Sequence, residues 1–150
     1  MWDENPVMGS GVGFENPDHR WFADIGIGIV VLQPGQPNCM YHGEADQEDF
    51  LVLAGECLLL VEGEERRLRQ WNFVHCPPWT EHVFVGAGDG PCTILMVGGR
   101  RGEGVVYPVV GVALKHEAGV ETETRSGKEA YAPFPAWTTR PYRDGELPDL

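Results

Sequence analysis

The chain has 150 residues, which is enough for one domain with a hydrophobic core and too few for two comfortable ones. Its 11 lysines and arginines stand against 23 aspartates and glutamates, and the resulting formal net charge of −12 repels nucleic acids and anionic membrane surfaces. We therefore expect a single domain with neither nucleic acid nor membrane as a partner.

The cysteines and the first residues of the chain indicate a compartment. The cysteines are spaced 18, 19 and 16 residues apart, without a C-x-x-C pair or a zinc-finger spacing, so we interpret them as reduced thiols of the core. The acidic start of the chain lacks the pattern of a secretory signal, and no apolar run approaches membrane-spanning length. These features predict a soluble, cytoplasmic protein.

The first third of the chain contains one clear strand signal. Glycines and prolines recur without periodicity in residues 1–20, which predicts an irregular N-terminal arm, and regular structure is expected from Trp21. Isoleucine alternates with glycine in Ile25–Leu32, a period of two that indicates a strand with one bulky face and one bare face. We expect the bare face to sit against a close neighbour.

Short apolar runs and turn signals alternate through the middle of the chain. The predicted strands include the segments 50–54, 57–61, 64–69, 72–74, 82–85 and 93–97. A tight hairpin is predicted at Glu62-Gly63, and further turns at Pro77-Pro78 and over residues 86–91. Roughly eight short strands, with no convincing helix before residue 105, predict an all-β antiparallel barrel or sandwich.

The last third has a different character. A short helix is predicted from Val109 to Ala118, and Ser126 with Glu129 forms a capping-box pattern, in which each side chain bonds the other residue's backbone. From Tyr131 to Leu150 the chain is too apolar to remain in water and too rich in proline to be helical. We expect this tail to pack on the barrel or on a partner subunit.

Two histidines and two glutamates form the candidate metal site. We call His42, Glu44, Glu48 and His82 the His/Glu cluster. On strands, side chains two residues apart share a face, so His42 and Glu44 point the same way, while Glu48 and His82 come from neighbouring strands. This mixed nitrogen and oxygen set suits a divalent transition metal such as Zn, Mn, Fe or Ni, and it does not suit Ca or a thiolate-preferring metal.

The segment from about residue 34 to residue 97 resembles a cupin. The first cupin motif runs Gly, a spacer, His-x-His, three or four residues, Glu, six residues, Gly. Here Glu48 stands six intervening residues before Gly55, and His42 and Glu44 fall on the two histidine positions. The spacing matches, and the second histidine is replaced by glutamate.

The second motif runs Gly, five residues, Pro-x-Gly, two residues, His, three residues, Asn. Pro77 and His82 keep their places, whereas Trp71, Trp79 and Gly86 occupy the positions of the two glycines and the asparagine. The resemblance implies an antiparallel double-stranded β-helix, or jelly-roll barrel, over residues 21–104. The flanking segments would be the N-terminal arm and a C-terminal extension with short helices over residues 105–150.

The resemblance also implies that the His/Glu cluster occupies the family's four metal positions and holds one divalent transition metal as cofactor. Glu44 has three possible roles. It is a metal ligand, a catalytic base, or a residue that does not bind the metal and instead forms a salt bridge with an arginine such as Arg100. The histidines outside the motifs, at positions 19, 75 and 116, are interpreted as surface or structural residues. Cys39 could reach the site, although a small buried hydrophobe is its simpler role.

Aromatic residues are predicted around this site. Phe50 and Phe84 share the faces of Glu48 and His82 by strand alternation, which predicts an apolar pocket with a polar floor. Trp79 replaces a small residue in the turn before His82, so its ring would overhang the mouth of the barrel. It would be either a wall for an apolar substrate or a structural plug. We predict Phe50, Trp79 and Phe84 as the substrate pocket.

Three functions agree with these features. The first is a metal-dependent enzyme that acts on a small organic molecule, as a dioxygenase or an isomerase or epimerase, with Glu44 or Glu48 as catalytic base. The second is a non-catalytic module that binds or senses a small-molecule ligand, and the third is a barrel with a purely structural metal site. Exposed edge strands and the bare glycine face predict a homodimer.

Overall fold

The computed structural model describes residues 1–15 and 22–148, so the expectations for His19 and Trp21 lie outside the described residues. The described chain forms strands and two short helices, in the following order. They are β1 (Trp2–Asn5), β2 (Gly9–Phe14), β3 (Ile25–Leu32), β4 (Gly43–Glu44), β5 (Glu48–Ala54), β6 (Glu56–Val61), β7 (Glu64–Arg69), β8 (Phe73–Cys76), β9 (His82–Ala87), β10 (Cys92–Gly99), β11 (Val105–Val106), α1 (Gly111–Lys115), α2 (Gly127–Ala130) and β12 (Thr138–Arg140).

Two antiparallel sheets face each other across the core. The larger sheet has the strand order β12-β1-β2-β3-β10-β5-β8, and the smaller one has the order β7-β6-β9. A short pair, β11-β4, lies at one end. Apolar side chains from both sheets form the main buried cluster, which includes Val30, Leu32, Val52, Leu59, Phe84 and Ile94. The all-β antiparallel prediction is confirmed.

Strand β3 turns its glycines towards the interior. Gly26 and Gly28 alternate onto the same face as the buried core residues Val30 and Leu32. A Cβ atom added to Gly26 would lie 2.7 Å from the guanidinium of Arg100, so the bare face has the close neighbour that was expected. Because this face points inward, it is not the surface on which a second subunit could pair.

The described part of the predicted arm, residues 1–15, is regular rather than irregular. Strands β1 and β2 form an antiparallel hairpin, and β2 continues the large sheet by pairing with β3. Trp2 and Met8 are buried in this hairpin. Strand β2 carries no apolar periodicity of its own, because glycines fill alternate positions, and its pairing with β3 stabilises it.

The C-terminal extension holds both helices and follows the prediction in part. Helix α1 is shorter than the predicted segment, and Ser126 caps α2 by accepting a hydrogen bond from the Glu129 N–H at 3.4 Å. The Glu129 carboxylate does not return that bond to Ser126; it accepts one from the Thr124 hydroxyl. Among the described residues, no helix is long and apolar enough to cross a membrane.

The tail packs on the body of the molecule. Strand β12 pairs with β1, which lies more than 130 positions earlier in the chain, and the Tyr142 ring meets the Trp2 ring edge-on at 5.7 Å. The four cysteines are free thiols, and Cys57, Cys76 and Cys92 are buried, as expected for thiols of the core.

Candidate metal centre

Three separate segments bring the His/Glu cluster to one end of the barrel. His42 precedes β4, which contains Glu44, while Glu48 begins β5 and His82 begins β9. An isolated antiparallel bridge joins the two histidines: the His42 N–H donates to the His82 carbonyl at 3.2 Å, and the His82 N–H donates to the His42 carbonyl at 2.9 Å. This bridge sets the imidazole centroids 5.4 Å apart.

Both imidazoles are oriented by backbone carbonyls. His42 Nδ1 lies 2.8 Å from the Met40 oxygen, and His82 Nδ1 lies 2.9 Å from the Thr80 oxygen. A carbonyl only accepts, so Nδ1 carries a proton in both rings and Nε2 is the atom that faces the cluster. In a neutral imidazole this Nε2 has a free lone pair, which is the form that binds metal ions.

The two carboxylates complete the cluster. Glu44 Oε1 lies 3.2 Å from His42 Nε2, and Glu48 Oε2 lies 3.4 Å from His82 Nε2. The potential ligand atoms of His42, Glu44 and Glu48 all lie within 4.8 Å of one another, and His82 joins this group through Glu48. The structure thus brings together all four residues that the sequence singled out.

Burial and charge alter the protonation of each member. Burial, together with the nearby Glu44 carboxylate, raises the pKa of Glu48 to about 7, whereas the hydrogen bond with His42 lowers the pKa of Glu44. Burial lowers the pKa of His82 to about 4, so this imidazole is neutral at pH 7 and its Nε2 is available as a ligand.

His42 takes up positive charge in the metal-free chain. Burial opposes its protonation, but Cys39, Glu44 and Glu48 together outweigh burial and hold the pKa of His42 well above its usual value. Among the described residues, both glutamates contact histidine rings, and neither forms a salt bridge with a lysine or an arginine. The cluster therefore attracts a cation, and a proton on His42 supplies one when no metal is bound.

The donor set fits a divalent transition metal ion. Two imidazole Nε2 atoms and two carboxylates are borderline-hard ligands of the kind that Zn, Mn, Fe and Ni accept. The backbone carbonyls that orient His42 and His82 correspond to the outer partners that metal-bound histidines usually have.

Two of the aromatic residues predicted to line the pocket, Phe50 and Phe84, lie in the hydrophobic core. Phe50 and Phe84 are buried, and their ring centroids lie 5.1 and 6.1 Å from that of His82. They support the His82 ring from within the core. Strand alternation placed them on the correct face, but it carries no information on their depth.

Trp79 lies at the rim of the site. Its backbone N–H donates to the Glu44 carbonyl at 2.6 Å. Its ring rests against Gly104: a Cβ atom added to Gly104 would lie 3.2 Å from Cη2 of the indole. Trp79 and Trp71 have φ angles of 67° and 69°, the left-handed region that favours glycine. Both tryptophans stand where the second cupin motif has glycine, the residue that this backbone region favours.

The residues around the cluster make the following contacts. Glu44 pairs with His42, while the Arg100 guanidinium lies against Gly26. Cys39 Sγ lies 3.7 Å from His42 Nδ1, on the side of the ring away from the ligand atom. The remaining described histidines form ion pairs outside the cluster, namely His75 with Asp49 at 2.6 Å and His116 with Glu65 at 2.7 Å.

A cavity of about 510 Å³ opens beside Glu48. Its lining includes the glycines of β2 and β3 together with Met96, Arg100 and Trp137. This cavity was not evident from the sequence, because its walls come from distant parts of the chain. The alternation of isoleucine and glycine in β3 is the signal that could have indicated it.

Comparison with known proteins agrees with the fold. The model of the cupin domain family matches residues 28–98, and a search of the curated proteins gives no match. A cupin 2 domain-containing protein from Halorhodospira halophila superimposes with a TM-score of 0.58 at 13% identity, covering 73% of this chain and 75% of that one.

Two further solved structures share the fold. A candidate sugar phosphate isomerase from Acidithiobacillus ferrooxidans gives a TM-score of 0.55 at 23% identity, covering 65% of this chain and 64% of that chain, which is less than two thirds of its length. A sugar phosphate isomerase of the cupin superfamily from Silicibacter pomeroyi gives 0.56 at 21% identity, covering 77% and 75%. These similar structures are double-stranded β-helix proteins, which confirms the predicted jelly-roll. Residues 28–98 are thus similar to the cupin domain family, and the chain shares its fold with cupin proteins of known structure.

Proposed function

We propose that this protein is a metal-dependent enzyme that acts on a small organic molecule. The observation that carries the proposal is the convergence of two carbonyl-oriented imidazoles and two carboxylates beside a cavity. The His/Glu cluster would hold one divalent transition metal. Because a glutamate stands at the second histidine position, the site is one charge more negative, which favours harder ions such as Mn or Fe(II).

The two carboxylates have different environments and so different proposed roles. A bound metal ion would polarise an oxygen-bearing group of the substrate. Glu44 is the more exposed carboxylate, with 42% of its side chain accessible against 19% for Glu48, and it is placed to exchange a proton with the substrate. Glu48, with its pKa of about 7, is the alternative base. The reaction class is that of a dioxygenase or of an isomerase or epimerase.

The cavity supports a site that exchanges ligands over a purely structural one. A metal ion that only joins strands needs no opening to solvent, whereas this cavity reaches Glu48. A non-catalytic module that binds or senses a small molecule would use the same geometry. Turnover of a panel of small organic acids and sugars by the metal-loaded protein distinguishes the enzyme from the module.

Metal content tests the proposed centre. Purified protein dialysed against a small excess of manganese or zinc should retain one ion per chain. His42→Ala and His82→Ala should each weaken metal affinity by about a hundredfold or more, because each removes an oriented ligand. His75→Ala is the matched control, since His75 lies on β8 in an exposed ion pair. Elemental analysis that finds unchanged stoichiometry in both cluster variants would refute the site.

We also propose a homodimer that forms through an edge strand. Strand β8 ends the large sheet, and its residue Phe73 is 64% exposed, next to Trp71 at 63%. Unpaired edge groups flanked by exposed aromatic rings favour association with a second copy. Light scattering should give twice the mass of one chain, and Phe73→Lys should shift it to the mass of one. A wild-type protein with the mass of one chain would contradict the dimer.

A cytoplasmic location is proposed from the thiols. Free cysteines persist in a reducing compartment, and all four cysteines are free. Fractionation of cells that make the protein tests this location; recovery from an oxidising compartment would contradict it.

A further inference from the structure

The C-terminal extension holds the segment that carries His42. Two successive backbone N–H groups just before this histidine donate to the extension. The Met40 N–H donates to the Tyr131 hydroxyl at 3.1 Å. The Tyr41 N–H donates to the Ala118 carbonyl at 2.7 Å. The backbone that carries the imidazole of His42 is therefore fixed by residues that lie outside the barrel.

The extension also pairs with the segment that carries Glu44. Strand β11 pairs with β4, and Val105 stands opposite Glu44 in this ladder. By contrast, Glu48 begins β5, which pairs with β8 and β10, and His82 begins β9, which pairs with β6. The extension thus supports one half of the His/Glu cluster, and the two barrel sheets support the other half.

Met40 connects Tyr131 with the imidazole of His42. Its N–H is held by the Tyr131 hydroxyl, and its carbonyl accepts from His42 Nδ1 at 2.8 Å. Met40 is buried, so its N–H has no solvent to donate to when that hydroxyl is removed. A shift of Met40 would turn the imidazole, because the bond at Nδ1 sets the direction in which Nε2 points.

A second tyrosine of the extension packs against the same imidazole. Tyr107 is buried, and its ring centroid lies 5.8 Å from that of His42, with 35° between the two planes. The Tyr107 and Tyr131 rings meet edge-on at 5.9 Å, and the two side chains are hydrogen-bonded. Because the Tyr131 oxygen accepts from Met40, its own proton is free to donate to Tyr107. Tyr107 therefore supports both the His42 ring and the Tyr131 hydroxyl.

We propose that Tyr131 is a positioning residue of the metal centre, which acts on His42 through Met40 and has Tyr107 as its partner. Tyr131 would keep His42 Nε2 directed at the ion without touching the ion itself. This inference rests on the proposed function, because it takes His42 as a metal ligand. It adds that tight metal binding requires the C-terminal extension, and that the extension acts on His42 and not on His82.

Tyr131→Phe tests this inference, because it deletes the hydroxyl and keeps the ring. The zinc affinity of the full chain, measured by competition with a chelator, should fall about tenfold, as expected when a metal-bound histidine loses its outer support. Tyr107→Phe should lower the zinc affinity about threefold, since it removes the partner of the Tyr131 hydroxyl and leaves the bond to Met40 in place.

Tyr41→Phe is the matched control. Tyr41 is also buried, and its hydroxyl likewise accepts one backbone N–H, that of Gly63 at 3.1 Å in the turn between β6 and β7. This variant should lose stability towards urea as Tyr131→Phe does, yet keep its zinc affinity within about twofold of the wild type. A purely structural role of Tyr131 would make the two variants alike in both measurements.

Nuclear magnetic resonance of the zinc-loaded protein distinguishes the two histidines. The Nδ1–H groups of His42 and His82 each donate to a carbonyl, so each should give its own slowly exchanging proton signal. In Tyr131→Phe the His42 signal should shift and exchange faster with water, while the His82 signal stays as in the wild type. Equal changes at both signals would indicate a general loosening and would contradict the inference.

The zinc measurements separate the two proposals. Wild-type zinc affinity in both Tyr131→Phe and Tyr107→Phe would overturn this inference and leave the proposed function standing. Absence of zinc from the wild type would overturn the proposed function and this inference with it. Circular dichroism precedes each titration, and if Tyr131→Phe does not fold, the comparison of Tyr107→Phe with Tyr41→Phe decides by the same outcomes.

Discussion

Replacing Glu48 by glutamine is expected to stabilise the metal-free protein by about 2 kcal/mol at pH 8. Burial and the neighbouring Glu44 carboxylate raise the pKa of Glu48 to about 7, above the 4.5 of an ordinary glutamate. A folded pKa above the unfolded one contributes stability that is fully present below pH 4.5 and is lost as the pH rises through 7. The amide removes this loss, because it carries no charge to bury.

The same substitution should remove most of the response to metal. A ligand present at a thousandfold excess over its Kd stabilises a folded protein by about 4 kcal/mol, and the wild type should gain about this much from manganese or zinc. Urea unfolding at pH 5 and pH 8, with and without metal, measures both effects. The gain of the metal-free variant should be small at pH 5, where Glu48 is protonated in the folded chain.

Glu64→Gln is the matched control for this experiment, since Glu64 lies on β7 in an exposed pair with Arg66. It should alter neither the pH dependence nor the metal response. A Glu48→Gln protein that is less stable than the metal-free wild type at pH 8, or that keeps the full metal response, would show that Glu48 is not a metal-binding carboxylate held at a cost to the fold.

Replacing Phe84 by alanine should destabilise the protein by about 3–5 kcal/mol. The Phe84 ring is fully buried in the core cluster beneath His82. Its centroid lies 4.5 Å from the centroid of the Phe50 ring. Deleting the ring leaves a cavity in the core and removes a support of the His82 imidazole. Chemical denaturation measures the loss, and metal titration should show weaker binding as well.

Phe14 provides the comparison, because it is a phenylalanine on β2 that is 43% exposed. Phe14→Ala should cost less than about 1 kcal/mol. If Phe84→Ala costs as little as Phe14→Ala and changes only ligand binding, Phe84 is a pocket wall, as the sequence analysis predicted, and not a core residue.

The arrangement of the His/Glu cluster was predictable from the sequence because its information is local. The distance from Glu48 to Gly55 and the distance from Pro77 to His82 fix which residues face the barrel interior. The rule that side chains two apart share a face then brings Glu44 beside His42. Depth is different: the same rule places Phe84 on the inner face, but whether a ring lines a pocket or fills the core depends on what packs above it.

The other features depend on pairings between distant parts of the chain. Strand β2 has no apolar pattern and is held by β3, and β12 is held by β1. The cavity beside Glu48 takes residues from β2, β3 and β10, so it exists only when these strands lie side by side. At Trp71 and Trp79 the sequence lacks the expected glycine, yet the backbone keeps the left-handed conformation.

Anomalous diffraction from crystals of the manganese-loaded protein tests the central claim most directly. The proposed centre predicts one anomalous peak per chain, within about 2.0–2.3 Å of His42 Nε2, His82 Nε2 and a carboxylate oxygen of Glu48. Absence of a peak at the His/Glu cluster, or a single peak elsewhere on the molecule, would contradict it.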